Sequence, residues 1–204
     1  MISSQKRLYG LSGWKFLAMI MIVWWHLGIP SGKIEWGARM CEFLFVSSGF
    51  LVGYNYYYKG MPDTRRYSFI YVFDKLSKVY PLHLVTTIFF VIITIKNFQI
   101  SDIPSWLSNL FLLQAWQINK DVIIFNGVSW FLSALMFCYF LTPFFLRLVR
   151  NIKHSLVLLL LVAAVRVSIE AFQIFGLADY VFSMHYSPLI RVLEFFMGML
   201  LILN

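Results

Sequence analysis

A histidine stands inside a long apolar run, which is an unusual place for a side chain that can carry a proton. The run FLAMIMIVWWHLGIP covers residues 16–30 and places His26 towards its carboxyl end. Ionisable groups are costly at membrane depth unless they are paired or hydrated, so His26 is a candidate functional residue. A neutral imidazole can accept a proton from a hydroxyl group, which is general-base chemistry at physiological pH. The residues alone also allow the alternative that His26 hydrogen-bonds a neighbouring helix and serves packing.

Three lysines could bind an anionic ligand such as a nucleotide phosphate or a lipid headgroup. Lys15 precedes His26 by about three turns of an α-helix, which places both on one face about 16 Å apart. Lys75 and Lys78 share a helical face just before Pro81, where we expect the next helix to begin. The alternative for this pair is that its positive charge only sets the membrane topology.

Small and acidic residues in the second apolar run are candidate supporting residues. Glu42 lies among aromatic residues and could pair with His26 or Arg39 if the first two helices pack together. Ser48 belongs to a Ser-Ser-Gly step, which permits either close helix packing or local unwinding.

Two further ion pairs are predicted, each within one helix. Arg166 and Glu170 are four residues apart, and Arg191 and Glu194 are three apart, so each pair can neutralise itself on one helical face. We expect structural pairing in both cases, with a partly hydrated cavity as the alternative, and we count Arg191 and Glu194 as supporting residues. The sequence has no phosphate-cradling glycine loop, no Cys/His set with metal-ligand spacing and no GxSxG motif. It therefore predicts neither a metal site nor a serine triad.

The elements that position these residues are apolar blocks of membrane-spanning length. Hydrophobic residues make up 60% of the 204 residues, charged residues only 13%, and the mean hydropathy is +0.75. A helix needs about 20 apolar residues to cross the hydrocarbon core. Six blocks of roughly this length occur, at 14–30, 38–58, 82–96, 124–146, 154–172 and 188–204. The sequence predicts an all-α, polytopic membrane helix bundle in a single domain over 1–204, with 106–116 as a short interfacial or re-entrant piece.

The distribution of basic residues predicts the orientation of this bundle. With a cytoplasmic N-terminus, the inside segments carry eleven Lys and Arg residues and the outside segments four, as the positive-inside rule requires. The net charge of +8 does not indicate nucleic-acid binding, because the basic residues form no single run or helical face. Since the block 188–204 is still apolar at its last residue, we expect the chain to be the C-terminally incomplete part of a larger bundle.

Five stretches, in this order, resemble the signatures of the membrane-bound acyltransferase-3 family, which includes O-antigen, exopolysaccharide and Nod-factor O-acetylases. They are LSGWKFLAMIMIVWWH, EFLFVSSGFLVGY, FDKLSKVYPLH, NGVSWFLSALMFCYFLTP and SPLIRVLEFFMGMLL. The resemblance implies transfer of an acyl group, usually acetyl, from cytoplasmic acyl-CoA to a hydroxyl of a glycan or lipid-linked saccharide at the other face. It also implies a bacterial inner or plasma membrane, contact with membrane lipids, no nucleic acid, and no bound cofactor besides the acyl-CoA substrate.

The resemblance also implies roles for individual residues. His26 falls on the catalytic histidine of the family, Lys15 on its first-helix basic residue, and Lys75 and Lys78 on its paired arginines, which makes the lysines donor-binding residues. Lysine in place of arginine loses the bidentate fork that grips phosphate. Leu135 stands where many members carry glutamate, and we expect roughly the last third of the family's bundle to be missing.

Two other classes of function stay open on the sequence. One is a membrane transporter or flippase-like protein, in which the histidine and the intramembrane ion pairs would line a permeation path. The other is an inactive, truncated acyltransferase homologue.

Overall fold

The structure is a computed structural model that describes residues 8–28, 36–59, 67–97, 99–116, 126–150, 155–174 and 186–202. Within these ranges the chain forms helices and no strand, so the predicted all-α class is confirmed. The α-helices are α1 (Tyr9–His26), α2 (Trp36–Lys59), α3 (Tyr67–Thr94), α4 (Ile103–Leu110), α5 (Trp130–Arg150), α6 (Ser155–Ile174) and α7 (Pro188–Leu200).

Among the residues that the structure describes, three segments are long and apolar enough to cross a membrane by length and composition. They are Ile70–Thr94, Gly127–Leu148 and Ser155–Phe172. Large apolar side chains are exposed along all three, as lipid-facing helices require, because hydrocarbon offers no partner to polar groups. The fold is a helical membrane bundle. That α1, α2 and α7 also cross the membrane stays a prediction.

The third helix begins earlier than the sequence indicates. The sequence predicts a start near Pro81, but α3 is helical from Tyr67, so Lys75 and Lys78 lie inside the helix and Pro81 lies in its interior. Proline there removes one intrahelical hydrogen bond, a loss that membrane helices tolerate when other groups satisfy the freed carbonyl. The ion pair between Lys78 Nζ and Asp74 Oδ2, at 3.0 Å, adds a local contact within the earlier part of the helix.

The chain between α3 and α5 contains a short helical piece that overlaps the predicted piece 106–116, whose interfacial or re-entrant placement stays a prediction. It consists of α4 and a 3-10 turn at Gln114–Trp116. Leu112 between them has a φ of 57°, in the left-handed region that branched residues rarely adopt. After a further 3-10 turn at Gly127–Ser129, α5 continues past Pro143 to Arg150.

The closest helix packing is between α2 and α7, and glycine makes it possible. A Cβ atom at Gly49 would overlap the carbonyl oxygen of Phe195, and one at Gly198 would overlap the carbonyl oxygen of Val46. The two backbones therefore touch, as small residues permit in membrane helices. The Ser-Ser-Gly step serves close packing, and α2 is continuous through it.

The core lies around this helix pair and α5. Its buried members include Phe45, Trp130, Cys138, Phe195 and Met199. Both cysteines of the chain are buried free thiols, as expected of small hydrophobic residues. Since α7 packs against α2, α5 and α6, charged side chains on α7 have neighbours on three sides.

Candidate active site

His26 is the last residue of α1, and its side chain is exposed. Its Nδ1 atom lies 2.8 Å from the carbonyl oxygen of Ile22. A carbonyl oxygen can only accept a hydrogen bond, so Nδ1 must carry the proton and Nε2 of the neutral ring keeps its lone pair. The Trp25 ring contacts the imidazole edge to face at a centroid distance of 5.0 Å. The hydrogen bond within the helix thus fixes the tautomer of the neutral ring in which Nε2 is unprotonated.

The three predicted donor-binding lysines are divided between two helices. Lys15 is half-buried on α1, which packs mainly against α2, whereas Lys75 and Lys78 lie on α3, which packs mainly against α5. The Lys75 ammonium lies 5.2 Å from the centre of the Tyr71 ring, a cation–π distance. Lys78 is exposed. Lys75 and Lys78 thus contact Tyr71 and Asp74 of their own helix. The structure does not bring Lys15 to them, because α1 packs mainly against α2 and α3 mainly against α5.

Six charged side chains from three helices form one ionic network. Its members come in pairs from α2, α6 and α7: Arg39 and Glu42, Arg166 and Glu170, Arg191 and Glu194. The sequence predicts the last two pairs within their helices, and both are observed. Of the two partners predicted for Glu42, Arg39 is observed, with Nη1 3.0 Å from Glu42 Oε2. No sequence pattern indicates that the three pairs meet.

Arg166 is the centre of the network. Its Nη2 donates to Glu42 Oε1 at 2.8 Å, and its Nε donates to Glu194 Oε1 at 2.9 Å. Arg39 also pairs with Glu170, which joins α2 to α6 a second time. Three guanidinium groups face three carboxylates, so the network is neutral overall, which lowers the cost of its burial.

Arg191 is the most deeply buried member of the network. Its side chain is 1% exposed, and its Nη1 donates to both carboxylate oxygens of Glu194, at 2.6 and 2.7 Å. The guanidinium carbon lies 5.9 Å from the centre of the Phe45 ring and 6.0 Å from that of Trp130. Trp130 is the first residue of α5, so Arg191 connects the network to the start of that helix.

The network and His26 lie towards the same end of the bundle. The Trp25 ring, next to His26, packs so closely on Gly37 that a Cβ atom there would overlap it. Gly37 precedes Arg39 of the network by half a helical turn. Ser48, the remaining predicted supporting residue, is half-buried more than one turn further along α2, while the neighbouring Ser47 is buried and donates to the carbonyl oxygen of Leu44.

A second polar cluster, which the sequence reasoning missed, lies between α3, α4 and α5. His83 Nε2 is 3.0 Å from the carbonyl oxygen of Asn109, and Thr87 Oγ1 donates to Asn109 Oδ1 at 3.4 Å. Gln114 Nε2 donates to Ser129 Oγ at 2.6 Å. All five side chains are buried. Ionisable groups are costly at membrane depth, and the argument that makes His26 a candidate applies equally to His83, which lies in the predicted block 82–96.

Among the described residues, no group of three or more His, Cys, Asp or Glu side chains could hold a metal ion. Comparison with known protein families gives a match. The sequence model of the acyltransferase-3 family, described as "Acyltransferase domain", matches residues 8–203. The match confirms the resemblance carried by the five sequence stretches. No curated protein and no solved structure matches the chain significantly.

Proposed function

The chain belongs to the acyltransferase-3 family, and from this premise we propose that it transfers an acyl group from acyl-CoA to a hydroxyl of a cell-surface glycan or glycolipid. That it is an integral membrane acyltransferase follows from the family and the apolar helices. Acetyl as the acyl group, a bacterial inner or plasma membrane and a cytoplasmic N-terminus are parts of the proposal.

The observation that carries the chemistry is the hydrogen bond between His26 Nδ1 and the Ile22 carbonyl oxygen. With Nδ1 protonated, Nε2 can take the proton of the acceptor hydroxyl while the hydroxyl oxygen attacks the thioester carbonyl. The tetrahedral intermediate then expels the CoA thiolate, which receives the proton from His26. Each turnover thus breaks one thioester bond, forms one ester bond and leaves the imidazole neutral.

Donor binding is proposed for Lys15, Lys75 and Lys78. With the N-terminus in the cytoplasm, these residues lie near the inner ends of α1 and α3, and His26 lies at the outer end of α1. Lys15 and His26 are about 16 Å apart along the helix. A CoA molecule with its phosphates at the lysines therefore needs its extended pantetheine arm to bring the thioester towards His26.

Two substitutions at His26 separate the base from a packing role. In His26→Asn the amide nitrogen can replace Nδ1 as donor to Ile22, but no base remains, whereas His26→Ala removes both. Because a general base contributes about 10²- to 10⁴-fold in rate, we expect both variants to lose that factor in acyl transfer. The measurement is transfer of radiolabelled acetyl from acetyl-CoA to membrane glycans in the full chain, with insertion checked separately. Wild-type transfer by His26→Asn contradicts the base assignment and returns His26 to packing.

The lysines are tested by acetyl-CoA binding. Replacing Lys75 and Lys78 together by glutamine removes two ammonium groups and should weaken binding by about 1 kcal/mol for each of them that binds phosphate. Replacement by arginine should preserve binding. Lys96→Gln, an exposed lysine beyond the far end of α3, is the matched control. If the double glutamine variant binds acetyl-CoA like the control, the α3 lysines only set topology.

A further inference from the structure

A cleft with three tryptophans in its lining lies beside His26, between the outer part of α1 and the start of α2. Its volume is about 250 Å³, and its lining residues are Ile20, Met21, Trp24, Trp25 and Trp36. A water molecule occupies about 30 Å³ of liquid, so the cleft has room for a group of several non-hydrogen atoms, such as one six-membered ring. The cleft can therefore hold part of a substrate.

Trp25 connects the cleft to His26. Its ring lines the cleft and also meets the His26 imidazole edge to face, with the ring centroids 5.0 Å apart. A Cβ atom at Gly37 would lie 2.6 Å from Cδ2 of this ring, so the indole packs directly on the backbone of α2. Packing against α2 thus holds the wall of the cleft that adjoins the imidazole.

The chemistry of the lining indicates the ligand class. None of the five lining side chains is charged, and their hydrogen-bond donors are the indole N–H groups. Trp24 and Trp36 are 52% and 38% exposed, so their rings are accessible to a ligand. An indole offers an electron-rich apolar face and a polar N–H edge. A pyranose ring matches both, because it has a face of C–H groups and a rim of oxygen atoms.

Two other occupants use this lining less fully. An alkyl chain needs only apolar surface, which leucine or isoleucine would supply as well as tryptophan. A quaternary ammonium group binds indole faces, but it brings no hydroxyl for His26 to deprotonate. A sugar binds through the ring faces and the N–H groups, and it also offers hydroxyls to the neighbouring imidazole.

We propose that the cleft of Trp24, Trp25 and Trp36 binds one pyranose ring of the acyl acceptor and places its hydroxyl groups at His26. This positioning role rests on the function proposed above, whereas sugar binding rests on the cleft alone. With the N-terminus in the cytoplasm, the cleft lies in the outer half of α1, on the side of a cell-surface glycan. The tryptophans are positioning residues, because the proton goes to His26.

Sugar binding is tested on the full chain in lipid nanodiscs by saturation-transfer NMR with two soluble probes. Methyl β-glucopyranoside is a ring with C–H groups on both faces, and sorbitol is an acyclic polyol without such a face. Trp36→Leu keeps apolar volume but removes the aromatic ring, whereas Trp36→Phe keeps an aromatic face. Trp14→Leu is the matched control, because Trp14 is 65% exposed on the same α1 helix but does not line the cleft.

Trp36→Leu should bind the glucoside roughly three- to tenfold more weakly than wild type, and Trp36→Phe within about twofold of it. Trp14→Leu should bind it like wild type, and sorbitol should not distinguish the variants. The pair Trp24→Leu and Trp24→Phe repeats the comparison from α1, so a local change at the start of α2 does not decide the result. A wild type that does not bind the glucoside, or equal binding by wild type and both leucine variants, overturns the sugar site. The tryptophans then serve only as anchors at the membrane interface.

Acyl transfer decides the positioning role separately. If wild type transfers acetyl from acetyl-CoA to extracted membrane glycans, Trp36→Leu should raise the acceptor KM roughly three- to tenfold, and Trp36→Phe should restore it. Binding of acetyl-CoA should not change. An unchanged acceptor KM in Trp36→Leu overturns the positioning role. If wild type transfers no acetyl, the function proposed above fails, and the glucoside titration alone decides the sugar site.

Discussion

Replacing Arg191 by methionine should strongly destabilise the bundle, because it removes one charge from a balanced, buried network. The substitution leaves two arginines against three glutamates. Glu194, whose side chain is 4% exposed, would lose the donor that now binds both of its oxygens. Breaking a buried ion pair by removing one partner costs about 3–5 kcal/mol. Since Glu194 keeps Arg166 Nε at 2.9 Å, we expect the lower end, about 3 kcal/mol.

Removing both partners should cost much less than removing one. In Arg191→Met with Glu194→Leu, two arginines again face two glutamates, and apolar side chains fill the space. Replacement of a whole buried pair by apolar residues is often neutral in stability, so the double variant should recover about 2 kcal/mol or more. Arg39→Met is the control for a partly exposed member, since its side chain is 44% exposed, and it should cost about 1 kcal/mol or less.

The assay is reversible unfolding of the full chain in mixed micelles, with the free energy of unfolding extrapolated to zero denaturing detergent. The double-variant cycle then gives the coupling energy of Arg191 and Glu194 directly. Two results refute the reasoning. One is equal stability of Arg191→Met and Arg39→Met, and the other is a double variant as unstable as the single one.

Two further predictions concern packing and topology. Gly49→Ala should destabilise the chain by about 2–3 kcal/mol in the same assay, because the new Cβ meets the carbonyl oxygen of Phe195, whereas Gly13→Ala, with open space around it, should change little. An impermeant maleimide should label Asn119→Cys in intact cells and Thr64→Cys only after permeabilisation, and equal labelling of both in intact cells contradicts the orientation predicted from the basic residues.

The sequence predicts the helices well because membrane-spanning blocks are long and strongly apolar. It also predicts the intrahelical pairs Arg166–Glu170 and Arg191–Glu194, since helical periodicity fixes neighbours three and four residues apart. It does not predict that these pairs meet Glu42, because that contact depends on which helices are neighbours. Arg166 and Glu42 are bonded although 124 residues separate them, and no local pattern records such a contact.

The predicted start of α3 is wrong because the prediction gave more weight to Pro81 and the lysines than to the apolar residues before them. Pro81 and the lysines before it suggest a loop followed by a helix with proline in its first turn. The segment from Tyr67 nevertheless carries spaced apolar and aromatic residues, and Tyr71 packs on Tyr139 of α5 with ring centroids 5.9 Å apart. Tertiary packing thus extends the helix across a proline that, in isolation, favours an end.

The polar cluster escapes prediction for a different reason. His83, Asn109 and Gln114 are spread over three elements, and only His83 lies in a predicted membrane-spanning block, 82–96. What brings them together is hydrogen bonding between elements, such as that of His83 Nε2 with the Asn109 carbonyl oxygen. Only a three-dimensional structure reveals such contacts, although the cost of an ionisable group at membrane depth makes His83 as good a candidate as His26.

His26 and His83 make similar hydrogen bonds in different surroundings. In both rings a backbone carbonyl fixes one nitrogen as a donor, at Ile22 for His26 and at Asn109 for His83, and so leaves the other nitrogen as a base. His26 is exposed, whereas His83 is 4% exposed and surrounded by hydroxyl and amide groups. An exposed base can meet an incoming substrate, whereas the buried ring of His83 has no such access. The ionic network connects the surroundings of the two histidines. Helix α2 packs on α1 and places Glu42 in the network, which joins the helix of His26 to α7. Arg191 of α7 in turn contacts Trp130 at the start of α5, beside the polar cluster.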